Sequence, residues 1–413
     1  MISGWRSAPF HIARMLLLLL PVTMLLGARA PLDIVGSTIA GLLLVHLIVS
    51  RDFTMLAKPW IYFGLAWWGW QIASSLWAYD AKEALIAGLI WGRFLLFAVA
   101  AAYWLITDEA YEWRLVAVIA AVLAFLCIDT MVQYYTGTSL FGREKVGERL
   151  TGPFRGQPIV GSAILHLFLP LLALAMAARF QTRRDLALAL LMACCVAVII
   201  VSGERAAALL MGLGIALLLV LMRGAKSRWC GVAVLAGAGL LLAIQLGVLS
   251  EYSSMRSDYV AQRHTRETWD VVSRFSESIY GLLWQDAWQM IAEHPVLGVG
   301  ERNIRVYWCE MGMQRYFPEG CAVHPHNVYL EIWGSTGTVG LLLYLGMVGA
   351  LLRWFWRTRH LWRHDALTTG LVVAVLVRLW PLMFVTSHTR AISALLFWLM
   401  AGWAISRIQR LQK

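Results

Sequence analysis

The chain has 413 residues, 60% of them hydrophobic and 14% charged, with a mean hydropathy of +0.66 and a formal net charge of +11. Soluble globular domains carry about 25% charged residues. A deficit spread over the whole length excludes a soluble enzyme and predicts an all-α polytopic membrane protein. The basic excess gathers between apolar runs, which argues for topology and against a nucleic-acid partner.

Crossing a bilayer takes roughly 20 apolar residues. Such runs fall at about 12–29, 31–49, 59–78, 84–105, 114–135, 159–178, 186–201, 206–222, 229–249, 327–352, 366–386 and 391–406, predicting about twelve transmembrane helices. Ala28-Arg29-Ala30 loosely resembles a signal-peptidase site, but a second run follows at once, so the first is expected to be a retained helix. The 186–201 and 206–222 runs are short, flank SGER, and also fit one broken element. With the N-terminus inside, Lys58, Arg183, Arg184, Arg223, Arg353, Arg357, Arg359, Arg363, Arg407 and Arg410 fall on the cytoplasmic side. Both termini are then expected to be cytoplasmic. One outer loop, GREKVGERLTGPFRGQP, breaks the bias with Arg143, Lys145, Arg149 and Arg155, which suggests another use for them.

This divides the chain into helices 1–9 (residues 1–249), a large loop on the outer side (250–326) and helices 10–12 (327–413). The loop's second half, SIYGLLWQDAWQMIAEHPVLGVG, has helical periodicity: Tyr280, Leu283, Trp284, Ala287, Trp288 and Ile291 share one face. It is expected to form a helical lid on the membrane surface. Cys127, Cys194, Cys195 and Cys230 lie in or beside spans and read as packing residues. Cys309 and Cys321 share the loop and fit a disulfide if that side is oxidising, or two free thiols, or a metal site with the nearby histidines.

Three groups carry candidate chemistry. In HPHNVYLEIWG, Asn327 suits a helix cap, which places His326 just before a span, with His324 as its neighbour. An imidazole there suits a general base. In VSGERAA, Glu204 and Arg205 stand between apolar runs; an arginine at a helix N-terminus favours anions, and a structural pair with Glu204 is the alternative. Arg143, Arg149, Arg155, Arg263, Arg266 and Arg274 share one predicted side. Arginine suits phosphate, so a converging subset points to a polyanionic ligand. The chain has no Asp-x-Asp or Asp-x-Glu, so a bound diphosphate would be neutralised by arginines and not through such a metal motif.

Taken in order, RLTG (149–152), SGERAA with Arg205, HPVLGVG (294–300) and HNVYLEIWGSTGTVG with His326 and Asn327 resemble the O-antigen ligase family and the related O-antigen polymerases. The resemblance covers about 140–350. It implies a GT-C-like inner-membrane glycosyltransferase with a periplasmic active site and neither metal nor other cofactor. Such an enzyme moves a glycan from undecaprenyl diphosphate to a hydroxyl of lipid A–core, or in a polymerase to a second lipid-linked glycan. Less fitting are a relative that glycosylates protein and a lipid or glycan transporter. By resemblance His326 is the base, and Arg205, Arg274, Arg149 and Arg155 bind diphosphate. Asn327, His324 and Glu204 support them. One departure concerns the large loop: where the family often has arginine before the amphipathic helix, this chain has Tyr280, so the role passes to Arg274, or to Arg266 or Arg263.

Overall fold

Helices account for every predicted apolar run within the described residues. The computed structural model describes residues 2–27, 29–223, 237, 266–311, 324–382 and 391–413; the predicted span at 229–249, Arg263 and Cys321 lie outside them. The first eight helices are α1 (Ile2–Thr23), α2 (Arg29–Ser50), α3 (Pro59–Ala73), α4 (Ala81–Ala100), α5 (Glu109–Thr136), α6 (Val160–Ala177), α7 (Arg183–Val201) and α8 (Arg205–Leu221). Then come α9 (Arg266–Ser273), α10 (Ile279–Glu293), α11 (Ile304–Glu310), α12 (Val328–Arg357), α13 (Arg359–Trp362), α14 (Ala366–Arg378) and α15 (Ala391–Leu411).

Among the described residues, 8 helices are long and apolar enough to cross a membrane, and α8 and α14 are shorter apolar helices. The described residues are thus those of an all-helical polytopic membrane protein, and some of the predicted runs give helices shorter than a full span. α3 has 15 residues before a 3-10 turn takes over, and α14 stops after 13 at Arg378, short of the 366–386 run. SGER separates two helices, with Gly203 between them at φ 77°. Side-chain caps fix several starts. Asp80, Asp108, Thr182, Ser278, Asn327 and Asp365 each accept a first-turn backbone N–H. A cap of this kind is worth about 1 kcal/mol.

Lipid tails are as apolar as leucine, so packing and polar contacts hold membrane helices together. A buried polar clamp joins α5 and α15. Glu112, fully buried, accepts from Trp403 Nε1 at 2.7 Å and from Arg407 Nη1 at 2.5 Å, and also pairs with Arg410. Arg407 forks onto both Asp365 oxygens at 2.8 and 2.9 Å. Removing one partner of such a cluster leaves charge stranded in a low-dielectric interior. Arg407→Ala is expected to lower stability by about 3–5 kcal/mol, read as a thermal melt in detergent.

A backbone joint ties the large loop to α12. Gly337 interrupts α12 at φ 66°, ψ −174°, a conformation essentially reserved for glycine. The helix there gives up its own ladder: Thr338 N–H turns to Pro295 O at 2.9 Å. The released carbonyls of Gly334 and Ser335 accept from Val299 and Gly300, both at 2.9 Å. HPVLGVG and GSTGTVG are thus two halves of one hydrogen-bonded joint. Trp77 and Trp70 brace it, donating to Leu297 O at 3.0 Å and Thr336 O at 2.8 Å.

Leu283, Ala287, Met290 and Ile291 of α10 pack with Ile304, Tyr307 and Trp308 of α11 and Leu330 of α12 in a second small core. Burying each large aliphatic side chain there contributes roughly 2 kcal/mol. The buried face of α10 is rotated from the expected one. Met290 replaces Trp288, which is 51% exposed and lies edge-on to Trp333.

Glu301 follows the joint and is buried, and burial pushes its carboxyl up to about 7, against the opposing pull of Arg302. Between an ordinary unfolded value near 4.5 and 7, the folded state holds a proton that the unfolded chain has released. Stability is therefore undiminished below about pH 4.5 and falls as pH rises through that window. Glu301→Gln is expected to flatten the fall of melting temperature between about pH 5 and 7. An unchanged slope would count against it.

Candidate functional site

His326 is held by its neighbours on both sides. It has φ 54°, a left-handed conformation that histidine adopts more readily than most residues. Its backbone N–H donates to His324 Nδ1 at 3.1 Å, and the two rings lie 4.2 Å apart. His324 is buried, so it acts as the post on which the turn is fixed. Tyr280, from the first turn of α10, meets the His326 ring edge-on at 5.7 Å. Asn327 caps α12, accepting from Tyr329 N–H at 3.0 Å and Leu330 N–H at 3.2 Å. Its amide donates to Pro381 O at 2.9 Å, and Tyr329 Oη donates to Leu379 O at 2.7 Å. These bonds bring the end of α14 beside His326. The imidazole itself is half-buried.

Glu204 and Arg205 open α8 beside the start of α6. Glu204 Oε1 accepts from Gly161 N–H at 2.6 Å. Its Oε2 accepts from Ser162 N–H at 3.1 Å and Ser162 Oγ at 2.7 Å. Glu204 thus caps α6 from 42 residues away, and that is where its carboxylate is used. Burial pushes the carboxyl up, while the Ser162 hydroxyl, Arg149 and the backbone donors pull it down. Arg149 faces Glu204 and donates to Pro158 O at 2.9 Å. Leu150 N–H reaches Ser202 O at 3.2 Å, so the RLTG and SGER motifs are sewn together. Arg205, the first residue of α8, is half-buried.

Two residues outside the sequence motifs, His166 and Arg378, connect these halves. His166, on α6, hydrogen-bonds through Nδ1 to Ser162 O and lies close enough to Arg378 to feel its charge. Arg378, the last residue of α14, leaves its buried Nε without a hydrogen bond among the described residues. It borders a void of about 30 Å³ with Tyr344, Ser393 and Trp398. The available signal was a histidine and an arginine inside apolar runs, LHLF and VRLW, where ionisable residues are costly.

The structure therefore gathers Arg149, Glu204 and Arg205 in one group, and His324, His326 and Asn327 in another. Ser162, His166 and Arg378 run between them. Arg274 is exposed and lies just before the helix that carries Tyr280 to His326. Arg155 is exposed on its loop, and Arg266 is exposed at the start of α9. Cys309 is disulfide-bonded, so its sulfur is no thiolate ligand for a metal.

Residues 187–345 match the family model described as O-antigen ligase. Over that stretch, less than half of the chain, the sequence is similar to the O-antigen ligase family. Members of the O-antigen ligase family are glycosyltransferase-like enzymes of O-antigen and lipopolysaccharide biosynthesis. A search of the curated proteins finds no match. The O-antigen ligase match takes in Glu204, Arg205, Arg274, His324, His326 and Asn327 together with both halves of the backbone joint. Arg149, Arg155, His166 and Arg378 lie outside it.

Proposed function

We propose that the protein is an O-antigen ligase of the bacterial inner membrane, working on the periplasmic side with both termini in the cytoplasm. Its donor is a glycan on undecaprenyl diphosphate and its acceptor a sugar hydroxyl of lipid A–core. His326 takes the proton from the acceptor hydroxyl as that oxygen attacks the anomeric carbon. The bond from that carbon to the phosphate oxygen breaks, and the electron pair leaves with undecaprenyl diphosphate. Arg205 and Arg274 neutralise the departing charge, with Arg149 and Arg155 as outer contacts. Direct attack inverts the anomeric centre. The observation that carries this reading is a half-buried imidazole, fixed by His324, Tyr280 and a capped helix, inside the region matching the ligase family.

Arg205→Ala and Arg274→Ala are each expected to slow turnover by roughly 100- to 1,000-fold, with the larger effect on kcat. A loss confined to KM would move these arginines from charge stabilisation to simple docking. Turnover is expected to survive excess chelator. The polymerase reading rests on the same family match and predicts a different product. Purified protein given only carrier-linked glycan would then lengthen it, whereas a ligase leaves it unchanged.

A further inference from the structure

A cavity of about 1280 Å³ opens at the end of the bundle opposite His326. His326 precedes the first residue of α12, and the cavity is lined by residues between Gly346 and Arg357 at the far end of the same helix. The other walls are the start of α3 (Trp60, Phe63), the last turn of α8 (Leu217, Leu221), and Val372 and Leu376 of α14. Two features distinguish this space from a solvent pocket.

The first is charge. Lys58, Arg353, Arg357, Arg359 and Arg363 line it, and no acidic side chain does. Among the described residues none of the five makes an ion pair. Arg363 donates to Leu221 O at 2.8 Å and Val220 O at 3.0 Å, and Arg359 stacks on Trp356. Arg353 and Arg357 are exposed.

The second feature is depth. From Gly346 to Arg357 the wall runs about 16 Å along α12, flanked by Val372 and Leu376 of α14. That is roughly half the hydrocarbon thickness of a bilayer, the depth of one leaflet. Cations clustered beside an aromatic wall one leaflet deep complement a molecule with an anionic head and long apolar chains. We infer that this cavity is a binding site for an anionic diacyl glycerophospholipid, its head-group phosphate among Arg353, Arg357 and Lys58 and an acyl chain along Phe63, Leu217 and Leu376.

The wall can be blocked without touching the charges. A Cβ added at Gly349 meets nothing within 4 Å, so a leucine there extends into open space on a helix that tolerates it. The full chain would be purified in non-ionic detergent, exposed to equal amounts of phosphatidylglycerol and phosphatidylcholine in mixed micelles, and its retained lipid counted by native mass spectrometry. The wild type is expected to retain phosphatidylglycerol about tenfold over phosphatidylcholine. Gly349→Leu, with an unchanged melting temperature, is expected to lose both lipids. Arg353→Glu with Arg357→Glu is expected to abolish the preference while still retaining lipid. Equal retention of the two lipids by the wild type, full retention by Gly349→Leu, or displacement of phosphatidylglycerol by inorganic phosphate would each overturn the assignment.

Discussion

Gly337→Ala is expected to cost about 3–4 kcal/mol and to release the large loop from α12. Its φ of 66° with ψ −174° excludes a Cβ sterically, and the added atom would sit 2.0 Å from Val296 O. The neighbouring bonds cannot compensate. A continuous helix through 337 would take Gly334 O and Ser335 O back into its own ladder, and Val299 and Gly300 would lose their acceptors. Limited proteolysis should then cut the 294–300 segment in the variant and spare it in the wild type. Gly298→Ala should reproduce the effect from the other half of the joint, because its Cβ would meet Ser335 O at 2.5 Å at φ 72°. A Gly337→Ala protein that melts with the wild type and resists the protease would show that the joint carries no stability.

The second large effect is chemical. His326→Asn is expected to reduce turnover roughly 100- to 10,000-fold, the range lost with a general base. Asparagine is the cleaner replacement, since it tolerates the left-handed φ of 54° and preserves the backbone donation to His324. The melting temperature should be unchanged and donor binding retained. Wild-type turnover in this variant would remove His326 from the chemistry. His324→Ala should act differently, loosening the post that orients the turn, so its loss of turnover should come with a lower melting temperature.

Much of this fold is written in the apolar pattern. Long runs give long helices, and Asn327 ahead of an apolar run identifies the start of α12 by chemistry that any sequence shows. The joint was half legible. Its glycines stand out as motifs, but nothing in HPVLGVG or GSTGTVG says that the two exchange backbone hydrogen bonds, because main-chain partners leave no side-chain signature. Glu204 was misleading for a related reason. Next to Arg205 in sequence it suggests a local pair, yet its acceptors are filled by Gly161 and Ser162 across the helix interface. Hydropathy averaging hid His166 and Arg378, since one polar residue barely alters an apolar window. α10 was rotated by a single exchange: aromatic weight suggests Trp288 as inward, while the second core is closed by Met290, whose flexible chain fills the gap beneath Gly334.

The reaction proposed for the end of the bundle carrying His326 moves a glycan from a lipid diphosphate to a lipid-anchored hydroxyl. The most direct test combines purified protein, undecaprenyl-diphosphate-linked glycan and lipid A–core in detergent without added metal, and follows the products by mass spectrometry. The expected product is a lipid A–core species heavier by the glycan, with one undecaprenyl diphosphate released per transfer, and no such product forms with His326→Asn. A full yield of that product from the His326→Asn protein, or no product from the wild type with both substrates bound, would contradict it.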